Sequence, residues 1–293
     1  MFRLLSSGIH KKGVRQKSRM LLDKYTIIKE LGNGATSTVY KVMDNDTSVY
    51  FTCKTIVENK YNTAMREINI LNKLPNDECF AKFKESIKGE KDSINIITKY
   101  IAGKDLFDWF YDISCVDKSV IDENCAKQIF KNMVMVTEKL HKQKIVHLDI
   151  KLENFIISDE VKKSISMIDY ASCHPHSDKK MRLSKMVGTR GYAPYEIYKG
   201  YYTSKSDVWS LGVCLWLLLT KTTAFDHNKL SYSNCKDITS KDFTFPLHTH
   251  NRIRHQMSDE VFDLLKKMLV INPNKRISLS DILKHPWFEY LVI

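Results

Sequence analysis

The chain has 293 residues, 43% of them hydrophobic and 27% charged, which is enough apolar side chain to bury a sizeable core and too much for a disordered polymer. Its net charge is +12, yet residues 1–20 hold six Lys/Arg and no acid, so half of the excess lies in a leader, and no sequence-specific nucleic-acid motif accompanies it. Seven cysteines without C-x-x-C spacing argue against structural zinc and a secreted disulfide framework, and the longest near-continuous apolar run, Leu211–Leu219, is too short to span a bilayer.

The expectation is a reducing compartment, cytoplasmic or nuclear. Residues 1–24 read as a flexible basic leader, open to an acidic-membrane contact, a localisation signal or organellar targeting. Tyr25–Glu30 alternates like a strand and runs into Leu31-Gly32-Asn33-Gly34-Ala35-Thr36-Ser37-Thr38-Val39. Glycines suit a backbone that must come close enough to phosphates for its N–H groups to reach them. Phe51-Thr52-Cys53-Lys54 follows as a further strand, and Thr63–Leu71, with apolar positions at 64, 68 and 71, predicts a helix carrying Glu67. Beyond a candidate hinge at Thr98-Lys99-Tyr100-Ile101-Ala102-Gly103, the apolar stretches Ala126–Leu140, Val208–Leu219 and Val261–Leu269 predict a mostly helical second part.

The chemistry concentrates in His147-Leu148-Asp149-Ile150-Lys151-Leu152-Glu153-Asn154 and Ile168-Asp169-Tyr170-Ala171. Asp149 can accept the proton of an attacking hydroxyl, and Lys151 can meet charge developing on a transferred phosphate. Asn154 and Asp169 can hold Mg²⁺ against a nucleotide. Downstream stand Gly188-Thr189-Arg190-Gly191-Tyr192-Ala193-Pro194-Tyr195-Glu196, Asp207-Val208-Trp209-Ser210-Leu211-Gly212, Arg276 and His285-Pro286-Trp287-Phe288.

In this order the motifs resemble those of a eukaryotic protein kinase of the serine/threonine type, nearest in style to the calcium/calmodulin-dependent group, over about residues 25–290. The resemblance implies an α+β, bilobal fold, with a small β-rich lobe at about 25–99, the hinge at about 98–103 and a mostly helical lobe at about 104–290. It implies ATP and Mg²⁺ as cofactors, protein substrates and a monomer. Adenine would lie against Leu31, Val39, the gatekeeper Thr98 and the hinge residues Tyr100 and Ile101, with the phosphates under Gly32, Gly34 and Ser37. Lys54 would grip the α- and β-phosphates with Glu67 as its ion-pair partner. Glu196 would pair with Arg276, and Asp207 would tie the catalytic loop to the core. Asp105 and Glu153 fall where basophilic relatives keep acids that meet arginines upstream of the target, although Asp105 equally suits the ribose hydroxyls. No D-x-D-x-D-G calcium loop occurs, and few residues follow Trp287-Phe288, so control is expected through the leader, a partner, localisation or abundance, or from sequence outside these 293 residues.

Among the departures from the family pattern, three bear on activity. Leu148 replaces the arginine that ordinarily binds an activation-loop phosphate, so phosphorylation of a residue such as Ser184 is expected to matter little. Tyr170 can take the usual phenylalanine's place if its hydroxyl finds a partner. Ala171 replaces a glycine, where a Cβ is expected to cost on the order of 1 kcal/mol if the backbone is left-handed. These departures keep one alternative open, a nucleotide-binding pseudokinase or scaffold without phosphotransfer. Cys173, close behind Asp169, reads either as a reachable thiol or as a buried one.

Overall fold

The computed structural model describes residues 23–34, 37–57, 60–89, 92–116, 121–225, 230, 239–243 and 257–289. The leader readings for residues 1–20, and Ala35 and Thr36 of the glycine-rich turn, lie outside them. The chain divides into two compact units. One takes in the described residues up to Ala64 together with Phe83–Tyr100; the other takes in Met65–Lys82 and the described residues from Ile101 onwards.

The first unit is a five-stranded antiparallel sheet in the order β1-β2-β3-β5-β4, built from β1 (Tyr25–Asn33), β2 (Ser37–Asp44), β3 (Tyr50–Ile56), β4 (Phe83–Lys88) and β5 (Ile94–Lys99). The predicted strand beginning at Tyr25 is therefore present. Alternation decides its faces. Tyr25, Val42, Cys53, Ile87 and Ile97 meet on one face as a buried cluster, with Tyr40 and Phe51 packed against it. The polar end of Tyr25 is not wasted there, since its hydroxyl donates to Glu85 Oε1 at 2.5 Å. Helix α1 (Tyr61–Leu71) is the helix expected around Glu67; the division between units falls after its first turn, so Glu67 groups with the second unit.

The second unit is mostly helical. Its described helices continue with α2 (Leu106–Tyr111), α3 (Glu123–Lys142), α4 (Tyr195–Tyr198), α5 (Ser206–Thr220), α6 (Asp259–Met268) and α7 (Leu279–Ile282). The three predicted apolar stretches lie in α3, α5 and α6. Asp122 caps α3 by accepting from Cys125 N at 2.6 Å, and Lys139, His141 and Lys142 crowd its last turn, where the helix dipole favours cations. Helix α5 is buried from Ser206 to Leu218 and packs on both α3 and α6. A helix apolar all round belongs in a core, and no helix among the described residues is long and apolar enough to cross a membrane.

Short strands carry the loops of interest. β6 (Lys104–Asp105), β8 (Phe155–Asp159) and β9 (Ser164–Met167) form one three-stranded sheet, while β7 (Ile145–Val146) pairs with β10 (His174–Pro175) and β11 (Met181–Arg182) with β12 (Tyr201–Tyr202). The β6–β8 approach requires glycine at 103, where φ is +139° and a Cβ would stand 2.2 Å from Ile157 O. Cys53, Cys79, Cys125, Cys173 and Cys214 form no disulfide among the described residues, and Cys173 is fully buried, which favours the buried one of its two readings.

Candidate active site

In the first unit, strand register does the assembling. Val39 lies opposite Lys54, Lys54 opposite Ile96, and Thr52 opposite Thr98. With a side-chain period of two, Val39, Lys54 and Thr98 share the face turned away from the Tyr25 cluster. The glycine-rich turn closes where Gly34 N donates to Ser37 O at 2.8 Å, and Leu31, Gly32 and Gly34 are exposed. A Cβ at Gly32 would meet nothing within 4 Å, so nothing in the described chain itself demands glycine there. Tyr100 bonds back through its N–H to Tyr50 O at 3.4 Å, and the Lys41 ammonium lies 3.9 Å from the Tyr50 ring and 4.4 Å from the Tyr100 ring.

In the second unit, β7 delivers the chain into the catalytic loop, and β8 takes it away directly after Asn154. The loop hangs from one carboxylate. Asp207, fully buried on α5, accepts from His147 N and Leu148 N, each at 2.8 Å, and from His141 Nε2 at 2.8 Å. Burial opposes its charge, but hydrogen bonds and charge from His141 and His147 outweigh that and hold the carboxyl below its usual range. The expected tie between loop and core is thus present. His141, its third partner, was not singled out from the sequence, where it is one basic residue among several at a helix end.

Around Asp149 the groups converge. Thr189 Oγ1 donates to Asp149 Oδ1 at 2.7 Å, Lys151 Nζ lies 3.8 Å from Asp149 Oδ2, and Asn154 Nδ2 donates to the Asp149 carbonyl at 2.8 Å. Ile168 N donates to Asn154 O at 2.9 Å, which fixes the backbone just before Asp169 beside that of Asn154. Glu67 is buried on α1 with 3% exposure, in the same unit as these residues, while Lys54 is half-buried on β3 of the other.

The departures resolve differently from one another. Leu148 is buried at 4% exposure with φ +62°, and its carbonyl would stand 2.7 Å from a Cβ at Gly188, where φ is +85°. The Tyr170 hydroxyl finds its partners: it donates to Met167 O at 2.7 Å and accepts from Ala81 N at 3.4 Å, with the ring 1% exposed. The cost expected at Ala171 does not arise. Asp169, not Ala171, takes the left-handed backbone, with φ +62°, and its Oδ1 accepts from Ala171 N at 3.2 Å. An aspartate tolerates that region through such a local bond better than most residues.

Two further acids sit nearby in the chain. Glu153 has its carboxyl pushed up by burial, and its Oε2 finds no hydrogen-bond partner among the described residues. Asp105, also raised chiefly by burial, caps α2 by accepting from Asp108 N at 2.9 Å. That capping role was missed in the sequence, although an Asp ahead of an apolar Leu-Phe-x-Trp-Phe run is its usual signal.

A protein kinase domain signature matches residues 25–288. The chain belongs to the protein kinase family. Among curated relatives, this kinase chain is 31% identical over 284 residues to serine/threonine-protein kinase cds1 of Schizosaccharomyces pombe, covering 90% of this chain and 58% of that protein. It is 27% identical over 297 residues to calcium-dependent protein kinase 27 of Arabidopsis thaliana, covering 95% and 59%. Against calcium-dependent protein kinase 3 of Plasmodium yoelii yoelii it is 31% identical over 278 residues, covering 92% and 49%. The kinase chain therefore spans about half to three-fifths of the length of these relatives. The α+β architecture expected of the family is present, a sheet-rich unit and a larger helical one, and the family generally uses ATP and a divalent metal to act on proteins.

Proposed function

We propose that this kinase domain transfers the γ-phosphoryl group of ATP to serine or threonine hydroxyls of proteins, with Mg²⁺. The observation carrying the reading is the junction at Asp149: Thr189 on one carboxylate oxygen at 2.7 Å, Lys151 at 3.8 Å from the other, and Asn154 bonded to its carbonyl. Asp149 receives the hydroxyl's hydrogen bond and takes its proton as the oxygen attacks. Thr189 holds that carboxylate in one rotamer, and Lys151 offsets charge on the transferring group. Because the transition state is loose, positioning and charge compensation supply most of the acceleration.

The donor set suits a hard cation. Asn154 spends its Nδ2 on Asp149 O, which leaves Oδ1 as its ligand atom, and Asp169 offers a carboxylate. Asn154 and Asp169 would hold Mg²⁺ there, and the ion would supply positive charge against the phosphates. The open space over Gly32 suits close approach of a phosphate, and Lys54 would meet the α- and β-phosphates. Among the described residues no group of three or more His, Cys, Asp or Glu could hold a metal ion. The test is transfer from labelled ATP with Mg²⁺ to an arginine-containing serine peptide, with Asp149→Asn as control.

Within this reading, substrates carry a basic residue upstream of the target. Glu153 supports it, because a half-buried acid whose Oε2 has no partner among the described residues gains most from an arriving guanidinium. In a peptide series, Glu153→Gln is expected to cut kcat/KM at least about tenfold for an Arg-containing peptide and little for its Ala counterpart. Equal losses on both peptides would refute the preference.

A further inference from the structure

The stretch that follows Asp169 is fastened along its length by contacts that need no phosphate. His174 and Pro175 pair with Val146 and Ile145, and His176 N donates to Lys144 O at 2.8 Å. From there the chain is stitched to residues 200–204. The Tyr202 hydroxyl donates to Pro175 O at 2.9 Å, and Ser204 N donates to Ser177 O at 2.7 Å. Ser204 Oγ donates to Asp178 Oδ1. Met181 and Arg182 then pair antiparallel with Tyr202 and Tyr201, and Leu183 N donates to Gly200 O at 2.9 Å. Lys180 Nζ lies 4.7 Å from the Tyr201 ring, and the His174 ring meets the Tyr202 ring edge-on at 5.3 Å.

The receiving side is rigid. Tyr202, Thr203 and Ser204 are buried at 2%, 1% and 5% exposure, and they lead straight into buried helix α5. Ser184, the exposed hydroxyl on which a phosphate would be carried, comes directly after the last rung at Leu183. Within the catalytic loop, the residue that would answer such a phosphate is Leu148, and it is buried.

We propose that Asp178 and Ser204 form a latch at the centre of this seam, as positioning residues that hold the segment running from Asp169 to Thr189 in its working arrangement without phosphorylation. The proposal rests on the phosphotransfer reading above. One end of the segment bears Asp169 and the other places Thr189 on Asp149, so slack between them moves both groups. Asp178 is the one acid in the run from Asp178 to Arg190, which otherwise carries Lys179, Lys180, Arg182, Lys185 and Arg190. Losing it removes the seam's central bond and a negative charge that faces His176, Lys205 and His141.

The experiment compares the full chain with its Asp178→Ala, Asp178→Asn and Ser204→Ala variants, by peptide kinetics and by hydrogen exchange over residues 174–183. Asp178→Ala and Ser204→Ala are expected to lower kcat/KM for the peptide about tenfold or more, with the KM for ATP changed less than about twofold. Asp178→Asn, whose amide oxygen still accepts from Ser204, should keep most of the activity. Exchange at 174–183 should speed up in the two alanine variants and not in Asp178→Asn. Phosphatase treatment should leave the parent enzyme unchanged. Loss of activity after phosphatase treatment would overturn the proposal, as would unchanged kinetics in all three variants. A gain in activity would overturn it as well, because the seam would then be a restraint. Should the parent chain transfer no phosphate at all, the phosphotransfer reading fails separately. The latch is then judged by exchange alone, supported if Asp178→Ala releases 174–183 and refuted if it does not.

Discussion

Asp149→Asn is expected to reduce phosphoryl transfer by at least about 100-fold, and toward 10,000-fold if proton removal is fully lost, while the fold is kept. An asparagine preserves size and still offers an oxygen to Thr189 Oγ1, so the 2.7 Å bond seen in the parent survives in one amide orientation. It gives up the negative charge that Lys151, 3.8 Å away, faces. It also gives up the basicity needed to take a proton from serine. The bond from Asn154 Nδ2 to the Asp149 carbonyl does not involve the Asp149 side chain, so Asn154 stays where it is. Nucleotide affinity should therefore change little while kcat falls, a split that single-turnover transfer and nucleotide titration measure separately. Transfer at the parent rate by the variant would remove Asp149 from the mechanism and reopen the scaffold alternative.

Arg276→Ala is expected to cost about 3–5 kcal/mol, because it strands a buried carboxylate. Both side chains of the Arg276–Glu196 pair are wholly shielded from solvent, and the bonds are bidentate at 2.6 and 2.8 Å. Arg276 also donates to Val270 O, Lys205 O and Ile271 O, and Glu196 accepts from Ser206 Oγ at 2.9 Å. The arginine thus satisfies three carbonyls as well as the charge, and its guanidinium lies 5.0 Å from the Trp209 ring. Truncation leaves all of these in a dry site. For a chain of this length the thermal midpoint should drop on the order of 10 °C. The apolar double replacement Arg276→Met with Glu196→Leu should recover part of the loss, since removing both charges together strands no carboxylate. Single variants that melt with the parent would show that the pair is neither as dry nor as strained by loss as its geometry implies.

The grouping of residues in the loop around Asp149 was legible in the sequence. The close spacing of Asp149, Lys151 and Asn154 announced a grouping that the fold does bring together, and the strands and helices around them followed from simple alternation and apolar periodicity. Conformation was less legible. The penalty expected at Ala171 followed the missing glycine, whereas the left-handed backbone belongs to Asp169, which has a side chain able to bond locally. Capping by Asp105 was obscured because an acid at that place also suits a sugar or an arginine. The β11–β12 pairing had no sequence signal at all. Two-residue strands are too short to alternate, and Met181-Arg182-Leu183 pairs with Gly200-Tyr201-Tyr202 through backbone groups that every residue shares.

The suspension of the catalytic loop from Asp207 has a consequence for how this enzyme would fail. His147 and Leu148 offer their amides to a carboxylate rooted in helix α5, buried from Ser206 to Leu218. Local fraying cannot release that grip, because letting go exposes an unpaired buried charge together with two orphaned donors. Heat or denaturant should therefore leave the chemistry intact until the whole unit gives way, so that misalignment and melting become a single event.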